Sequence, residues 1–310
     1  MERLAQSYRD ALVNAAQDGH HKWLRMLLKM KGHQVNKIDK NGETLLYKAA
    51  KCGHNEVVKV LLEMEDIDVN KADMYGRSPL FQAVKNRHNE VVEQLLERQE
   101  LNVNQADDEH GITALIVAII NRNDLAVKLL LQRADLNVNR GDNKGKPALT
   151  WTAYFGRLEV PKLLLQMEDI NVNQADKDGI TPLYAAASHG DARLVELLVR
   201  HKDIQLTKAI KSGDTPLGIA MKSMQQEHSY LQANYNGIIR IILEKLIKPL
   251  NENSSCIVCL ERKPEVVLIP CGHQNMCSPC AYQWNEEQKG CPLDRIHISG
   301  ILPLDPEAHL

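Results

Sequence analysis

Cysteine residues gather near the C-terminal end of the chain. Six of the seven cysteines lie between positions 256 and 291. They form closely spaced pairs with one histidine and one aspartate: Cys256-x2-Cys259, Cys271-x-His273, Cys277-x2-Cys280 and Cys291-x2-Asp294. Two thiolates separated by two residues can bind the same tetrahedral zinc ion. Four such pairs supply enough ligands for about two ions, so we predict a structural zinc domain here.

The same spacing argues against other uses of these cysteines. A disulfide framework would spread its cysteines through the fold, whereas residues 1–255 contain only Cys52. A structural site with four protein ligands has no open coordination position, which disfavours a metal hydrolase. A domain of about fifty residues buries little apolar surface, so bound metal would supply much of its folding free energy. We expect Cys52 itself to be a small buried apolar side chain.

The residues that precede the predicted zinc domain form an internal repeat. Glycines recur at intervals of 34 or 35 residues, at Gly42, Gly76, Gly111, Gly145, Gly179 and Gly213. Two positions later most units have a residue that can cap a helix: Thr44, Ser78, Thr113, Thr181 and Thr215. A short helix, a second glycine position and a second helix follow in most units, and four of them end in a Val-Asn step: Val69-Asn70, Val103-Asn104, Val138-Asn139 and Val172-Asn173. A fixed period of this size predicts a stack of helix pairs.

These residues resemble the ankyrin repeat, with its Gly-x-Thr-Pro-Leu start and its Leu-Leu helix end. The resemblance covers residues 10–246 in about seven units, with Asp10 as the expected first cap. Arg87 and Arg122 replace the glycine between the two helices, where a left-handed backbone would cost about 1 kcal/mol. The last unit carries about ten extra residues within 222–236, which either lengthen its helices or form a loop.

The ankyrin resemblance implies that the repeats bind proteins through hairpin tips and a concave helical face. Most tip residues are expected to be solvated turn residues. We select Tyr75, His110 and Lys144 as candidate substrate-binding residues from a larger group of tip positions: Asp73, Met74, Glu109 and Lys177.

The C-terminal cluster resembles the RING domain, in particular the Cys-Gly-His subtype of inhibitor-of-apoptosis and Mind bomb ligases. The resemblance implies a first zinc on Cys256, Cys259, Cys277 and Cys280. It implies a second zinc on Cys271, His273, Cys291 and Asp294. Most RING domains have cysteine at the last position; a carboxylate is an acceptable ligand, and the alternative is that water or His297 replaces Asp294.

The RING resemblance also implies a surface for a ubiquitin-conjugating (E2) enzyme. Ile257, Trp284 and Pro292 match its apolar patch, although packing within a small domain is the other reading. Arg295 directly follows the last ligand and resembles the linchpin that hydrogen-bonds both the E2 enzyme and ubiquitin. The alternative for Arg295 is a solvated surface side chain.

The sequence therefore predicts a mostly α chain: an ankyrin-repeat solenoid plus a small α+β two-zinc RING domain. The expected boundaries are 1–247 for the repeats, 248–255 for a linker, 256–298 for the RING and 299–310 for a tail. The expected function is that of a RING-type E3 ubiquitin ligase whose repeats bind the substrate. The alternative is a non-catalytic scaffold, and RING-mediated homodimerisation through the tail is a further expectation.

Composition restricts the partners and the compartment. The net charge is −2, and lysine and arginine form no stripe, which disfavours nucleic acid. The longest apolar run is too short to span a bilayer, and the N-terminal region lacks the apolar stretch of a signal peptide. We expect the chain to act in the cytoplasm or nucleus, or in a host cytosol if it is a bacterial effector.

Overall fold

The computed structural model describes residues 2–30, 35–226 and 229–246, together with three short strands at 266–269, 273–276 and 300–303. The chain divides into two compact units. Unit 1 comprises Met1–Trp151 and Gln166–Ile170, and unit 2 comprises Thr152–Leu165 and Asn171–Leu310.

The described part of the chain is a series of helix pairs, as the period predicted. In unit 1 the first helices of successive pairs pack side by side, and the second helices form a second row. The helices are α1 (Glu2–Gln17), α2 (His21–Leu28), α3 (Leu45–Cys52), α4 (Asn55–Leu62), α5 (Pro79–Lys85), α6 (Asn89–Leu96), α7 (Ala114–Ile120), α8 (Asp124–Leu130), α9 (Ala148–Thr152), α10 (Glu159–Leu164), α11 (Pro182–Ser188), α12 (Ala192–Val199), α13 (Pro216–Gln226) and α14 (Ser229–Leu246).

Buried hydroxyl groups begin the first helix of most pairs. Thr44 Oγ1 accepts a hydrogen bond from the backbone N–H of Tyr47 at 3.1 Å, and Thr181 Oγ1 accepts one from Tyr184 at the same distance. Ser78, Thr113 and Thr215 make the equivalent bond at 3.0 to 3.3 Å. Each bond satisfies an amide that has no partner inside its helix, so the predicted caps are confirmed.

A left-handed residue separates the two helices of a pair. Arg87 and Arg122 adopt φ values of 64° and 54°, which confirms the predicted strain at these two non-glycine positions. At Gly19 the left-handed backbone also makes room for a neighbour. A Cβ atom there would lie 2.7 Å from His54 Nδ1 of the next repeat. The imidazole is held by its Nε2, which lies 2.7 Å from the carbonyl oxygen of Gln17.

Asparagine side chains link the ends of successive repeats. Asn70 Nδ2 donates to the carbonyl oxygen of Glu100 at 2.8 Å, and Asn70 Oδ1 accepts the N–H of Asn102 at 2.7 Å. Asn36 and Asn104 make the same pair of bonds to the next loop in unit 1, and Asn173 makes it in unit 2. The Val-Asn step of the sequence is therefore a connection between repeats.

Two expectations about the helices are wrong, and an open alternative is resolved. Asp10 lies inside α1 rather than at its start, because α1 extends from Glu2 to Gln17 and Gln6 Nε2 bonds the Asp10 carboxylate one turn away. Cys52 is exposed at the end of α3 instead of buried. The extra residues of the last repeat lengthen its helices, since α13 has 11 residues and α14 has 18.

Three antiparallel strands are described near the C-terminal end: β1 (Val266–Ile269), β2 (His273–Met276) and β3 (Gly300–Pro303). β1 is central, with β2 and β3 on its two sides. Residue 273 pairs with residue 268, and residue 300 pairs with residue 269. The start of the expected tail therefore shares a sheet with the hairpin. No helix among the described residues is long and apolar enough to cross a bilayer.

Loss of a buried cap should lower stability. We expect Thr181→Ala to reduce the free energy of unfolding by about 1 kcal/mol, because the Tyr184 amide loses its acceptor in a site where Thr181 is 2% exposed. Urea unfolding followed by circular dichroism measures the change. Thr207→Ala is the matched control at an exposed threonine, and an equal loss in both variants would contradict the capping role.

Candidate functional site

The hairpin tips are shaped by aspartates that end each repeat. Asp73 Oδ1 accepts the backbone N–H groups of Tyr75 and Arg77, both at 3.0 Å. Asp142 Oδ1 does the same for Lys144 and Lys146 at 2.9 Å. A carboxylate that takes two amides of its own loop fixes a tight turn. The turn leaves Met74 and Tyr75 exposed at the first tip, and Asn143 and Lys144 exposed at the second.

Backbone hydrogen bonds join these tips into one edge within unit 1. The N–H of Asp108 donates to the carbonyl oxygen of Tyr75 at 2.9 Å, and the N–H of Asn143 donates to that of His110 at 2.8 Å. Tyr75 is 48% exposed, the His110 side chain is 65% exposed, and Lys144 is exposed. The structure thus places Tyr75, His110 and Lys144 on successive tips of the same edge.

The tips differ in chemical character. Met74 is 61% exposed beside Tyr75, and the Arg77 guanidinium lies 4.6 Å from the centre of the Tyr75 ring. The following tip carries exposed Asp108 and Glu109 next to His110. The edge therefore offers an aromatic and apolar contact beside negative charge, which suits a protein segment better than a small molecule.

Asp73 belongs to the interior rather than to the exposed tip. It is 7% exposed, its Oδ2 accepts the Tyr47 hydroxyl at 2.6 Å, and Arg77 Nε donates to the same oxygen at 2.8 Å. Gln82 Nε2 donates in turn to the Tyr47 hydroxyl oxygen at 2.6 Å. The expectation of a solvated binding residue at Asp73 is wrong, because this carboxylate holds the Tyr75 turn against the helices.

Burial alone would raise the pKa of Asp73. Hydrogen bonds from Arg77, Tyr47 and the loop amides outweigh it and lower the pKa below its usual value. For Tyr47, burial is the first cause and the Asp73 carboxylate the second, and both raise the pKa. The carboxylate is therefore ionised and the phenol protonated at neutral pH.

Sequence reasoning missed a second charged network beside the first hairpin. Lys48 Nζ lies 2.8 Å from Asp39 Oδ2 and 2.6 Å from Glu43 Oε2, and Lys51 Nζ lies 2.9 Å from Glu43 Oε1. Lys48 and Glu43 are only 9% and 8% exposed. Their charges appear in the sequence as ordinary surface residues, and no signal marks them as buried.

Comparison with known proteins assigns both parts of the chain. A family model described as ankyrin repeats matches three times, at residues 12–107, 99–176 and 163–253. The chain belongs to the ankyrin-repeat family. A second family model, described as a zinc finger of C3HC4 type (RING finger), matches residues 252–301. The chain thus combines ankyrin repeats with a C-terminal RING domain.

Solved structures agree with the ankyrin fold. The ankyrin repeat domain of Bcl-3, a member of the IkappaB family, has a TM-score of 0.64 and 23% identity, and the match covers 75% of this chain and 97% of that one. The human ASB11 ankyrin repeat domain has a TM-score of 0.57 and 23% identity over 77% of this chain and 99% of that one.

Curated relatives match over short segments. "Baculoviral IAP repeat-containing protein 3" of Homo sapiens is 30% identical over 79 residues, which are 26% of this chain and 12% of that protein. "Putative E3 ubiquitin-protein ligase XBAT34" of Arabidopsis thaliana is 32% identical over 53 residues, or 17% and 14%. "RING finger protein 141" of Bos taurus is 28% identical over 54 residues, or 17% and 23%. The chain covers less than a quarter of each of these relatives.

The predicted donor set of the RING domain suits zinc, since thiolate and imidazole are ligands that this ion prefers. A RING finger binds zinc, so the zinc prediction is confirmed at that level. Within the described residues no group of three His, Cys, Asp or Glu side chains could hold a metal ion.

The RING site residues themselves stay predictions. Of the proposed ligands only the His273 backbone, at the start of β2, is described. The other proposed site positions lie outside the described residues: Cys256, Cys259, Cys271, Cys277, Cys280, Cys291, Asp294, Ile257, Trp284, Pro292 and Arg295.

Replacement of Asp73 should remove a pH-dependent part of the stability. A lowered folded-state pKa stabilises the fold above the unfolded value of about 3.9, and this contribution is lost as pH falls through the folded-state pKa. We expect Asp73→Asn to unfold more easily than wild type at pH 7, with a smaller difference near pH 3.

Urea unfolding at several pH values measures this difference, and Asp68→Asn, at an exposed aspartate of the preceding loop, controls for the loss of one charge. A difference from wild type that stays constant with pH would contradict the proposed role of the ionised carboxylate.

Proposed function

We propose that this chain is a RING-type E3 ubiquitin-protein ligase whose ankyrin repeats bind the substrate and whose RING recruits a ubiquitin-charged E2 enzyme. The observation that carries the proposal is the RING match at residues 252–301 on the same chain as the repeats. Ankyrin repeats mediate protein–protein interaction, and RING domains engage E2 enzymes in general. The name of the Arabidopsis relative points in the same direction.

The proposed chemistry needs no nucleophile on this chain. The cysteines of the RING are committed as metal ligands, so no thiol carries ubiquitin. Ile257, Trp284 and Pro292 form the apolar contact with the E2 enzyme. Arg295 donates hydrogen bonds to the E2 enzyme and to ubiquitin together, since its planar guanidinium can serve two acceptors. The thioester that joins ubiquitin to the E2 cysteine is thereby held in a reactive orientation. The amine of a substrate lysine attacks its carbonyl carbon, forms an isopeptide bond to ubiquitin and releases the E2 thiol, and the gain in rate comes from orientation.

The repeats supply that lysine by keeping its protein close, which raises its effective concentration. Tyr75, His110 and Lys144 are the proposed contacts, because they share one exposed edge of unit 1. The proposed compartment is the cytoplasm or the nucleus, where E2 enzymes and ubiquitin are present.

The second candidate is a non-catalytic scaffold whose RING only binds other proteins or dimerises. Asp294 favours it, because a carboxylate in place of the usual last thiolate weakens the second proposed zinc site. The two candidates differ in a single measurement, which is the discharge of ubiquitin from a charged E2 enzyme.

The proposed metal content can be counted. We expect about two zinc ions per chain in the wild type, on the two ligand sets, and about one in Asp294→Ala. Inductively coupled plasma mass spectrometry of the purified protein measures the number of zinc ions per chain. Asp305→Ala, another aspartate near the C-terminal end, should keep the wild-type ratio. An unchanged ratio in Asp294→Ala would assign the last ligand to water or to His297.

The catalytic role of Arg295 is tested by single-turnover discharge of ubiquitin from a charged E2 enzyme onto free lysine. We expect Arg295→Ala to slow discharge by about tenfold to a hundredfold, the equivalent of one or two charged hydrogen bonds, while zinc content stays at the wild-type value. Arg262→Ala serves as the control within the same domain. A wild-type protein that fails to stimulate discharge by any E2 enzyme of a representative panel would leave the scaffold as the function.

A further inference from the structure

The second helix of the first repeat presents two different apolar faces. Leu24, Leu27 and Leu28 are buried against the fold, at 0%, 6% and 7% exposure. A separate row of large apolar residues stays at the surface, and we call it the N-terminal stripe: Trp23, Met26 and Met30, with exposures of 49%, 51% and 55%. Their spacing of three and four residues places them on one side of α2 and its C-terminal end.

Two of the three equivalent positions are buried in the next repeat, and the third, Met64, is partly exposed. The residues 34 positions after Trp23 and Met26 are Val57 and Val60 of α4, and they are 0% and 4% exposed. α4 packs against α2 within unit 1. In an interior repeat, the positions of the N-terminal stripe therefore lie where the second helix packs against that of the preceding repeat. No described helix packs on them in the first repeat.

Helices α1 and α2 form the outermost repeat among the described residues. An outermost repeat of a stacked array is ordinarily polar on its outer side. A tryptophan and two methionines at half exposure depart from that rule, and clustered exposed apolar residues indicate an interaction surface. Tryptophan in particular is enriched among the residues that dominate binding free energy.

Charges beside the stripe specify what would pack there. Arg25 of α2 makes two hydrogen bonds to the Glu63 carboxylate at the end of α4, at 2.7 and 2.9 Å. Lys29 is 34 positions before Glu63 and so occupies the equivalent place on α2. Suppose that a partner helix packs on α2 in the same way that α2 packs on α4. The residue of that helix at the place equivalent to Arg25 would then lie beside Lys29. An acidic residue is required there, and exposed Lys22 adds positive charge on the same side.

We propose that the N-terminal stripe is a docking site for an acidic amphipathic helix of a partner protein. The helix places apolar residues, three and four positions apart, on Trp23, Met26 and Met30, with aspartate or glutamate facing Lys22 and Lys29. A second copy of this chain fits less well, because symmetric pairing of α2 would oppose lysines to lysines. The proposal goes beyond the ligase function and does not depend on it.

The test uses the whole 310-residue chain and two synthetic helical peptides of about 16 residues. Both carry leucines at helical spacing; one has glutamates beside the leucines and its twin has lysines. Fluorescence anisotropy of labelled peptide measures binding. We expect the acidic peptide to bind about fivefold more tightly than the basic one, as partly exposed ion pairs allow. Lys29→Glu should reduce or reverse this preference.

A second variant tests the apolar contact. Trp23→Ser should weaken binding of the acidic peptide by about 30-fold, since this side chain is the aromatic anchor. Met74→Ser is the matched control, because Met74 is as exposed as the stripe but lies on a hairpin tip. Wild-type affinity in the Trp23 variant, or equal affinity for both peptides, would overturn the proposal.

Two rival occupants give their own results, and each would overturn the proposal. If the wild type sediments as a dimer and Trp23→Ser sediments as a monomer, the N-terminal stripe binds a second copy of this chain. Trp23-dependent binding to phosphatidylcholine vesicles with about 30% phosphatidylserine, without a preference between the peptides, would assign it to lipid. Ubiquitin discharge by Trp23→Ser should match wild type, so the ligase proposal and the docking proposal can fail separately.

Discussion

An asparagine amide at the end of one repeat makes hydrogen bonds to the backbone of the next repeat in both directions. The side-chain N–H of Asn70 donates to the carbonyl oxygen of Glu100, and the side-chain oxygen of Asn70 accepts a hydrogen bond from the N–H of Asn102. Both bonds lie at the exposed surface, where one hydrogen bond contributes about 0.5–1.5 kcal/mol to stability. A repeat therefore completes its neighbour's hydrogen bonding as well as its apolar burial.

This dependence reaches the exposed edge. The Asp73 carboxylate accepts the backbone N–H of Tyr75, and the N–H of Asp108 in the following tip donates to the carbonyl oxygen of Tyr75. Tyr47, one repeat earlier, supplies a hydroxyl to the same carboxylate. A side chain on this edge is presented by three successive repeats, so its position is set by tertiary contacts although it lies in a loop. Such preorganisation reduces the entropy lost on binding.

The repeat architecture was accessible from the sequence because its signals are local. The cap hydroxyls and the left-handed positions, including Arg87, are each determined by a few adjacent residues. The Tyr47–Asp73 pair was not accessible, because its members are 26 residues apart and each residue type is common at the surface. The prediction of a helix cap at Asp10 was wrong because it relied on the residue type alone. The helix begins at Glu2, eight residues before Asp10.

The zinc domain was recognisable from ligand order alone, since thiolates at fixed spacing have few other uses in one short segment. The residues expected to contact an E2 enzyme lack such a signature. Trp284 and Arg295 were selected only because they stand at a particular number of residues from a predicted zinc ligand. Their roles therefore follow from the resemblance to RING domains, and no pattern in the sequence indicates them independently.

The left-handed arginine at position 87 affects how interchangeable the repeats are. Its backbone is strained, yet its guanidinium reaches the carbonyl oxygen of Asn121 at 3.1 Å, and the Asn121 amide reaches back to the carbonyl oxygen of Lys85 at 2.8 Å. The unfavourable backbone is thus offset by a link to the following repeat. Both acceptors are backbone carbonyl groups, which every repeat presents, and Asn86 makes the same kind of bond one repeat earlier, to the carbonyl oxygen of Lys51 at 2.9 Å. A left-handed arginine therefore suits an interior repeat, where the next repeat supplies an acceptor for its guanidinium, better than it would suit the last repeat of an array.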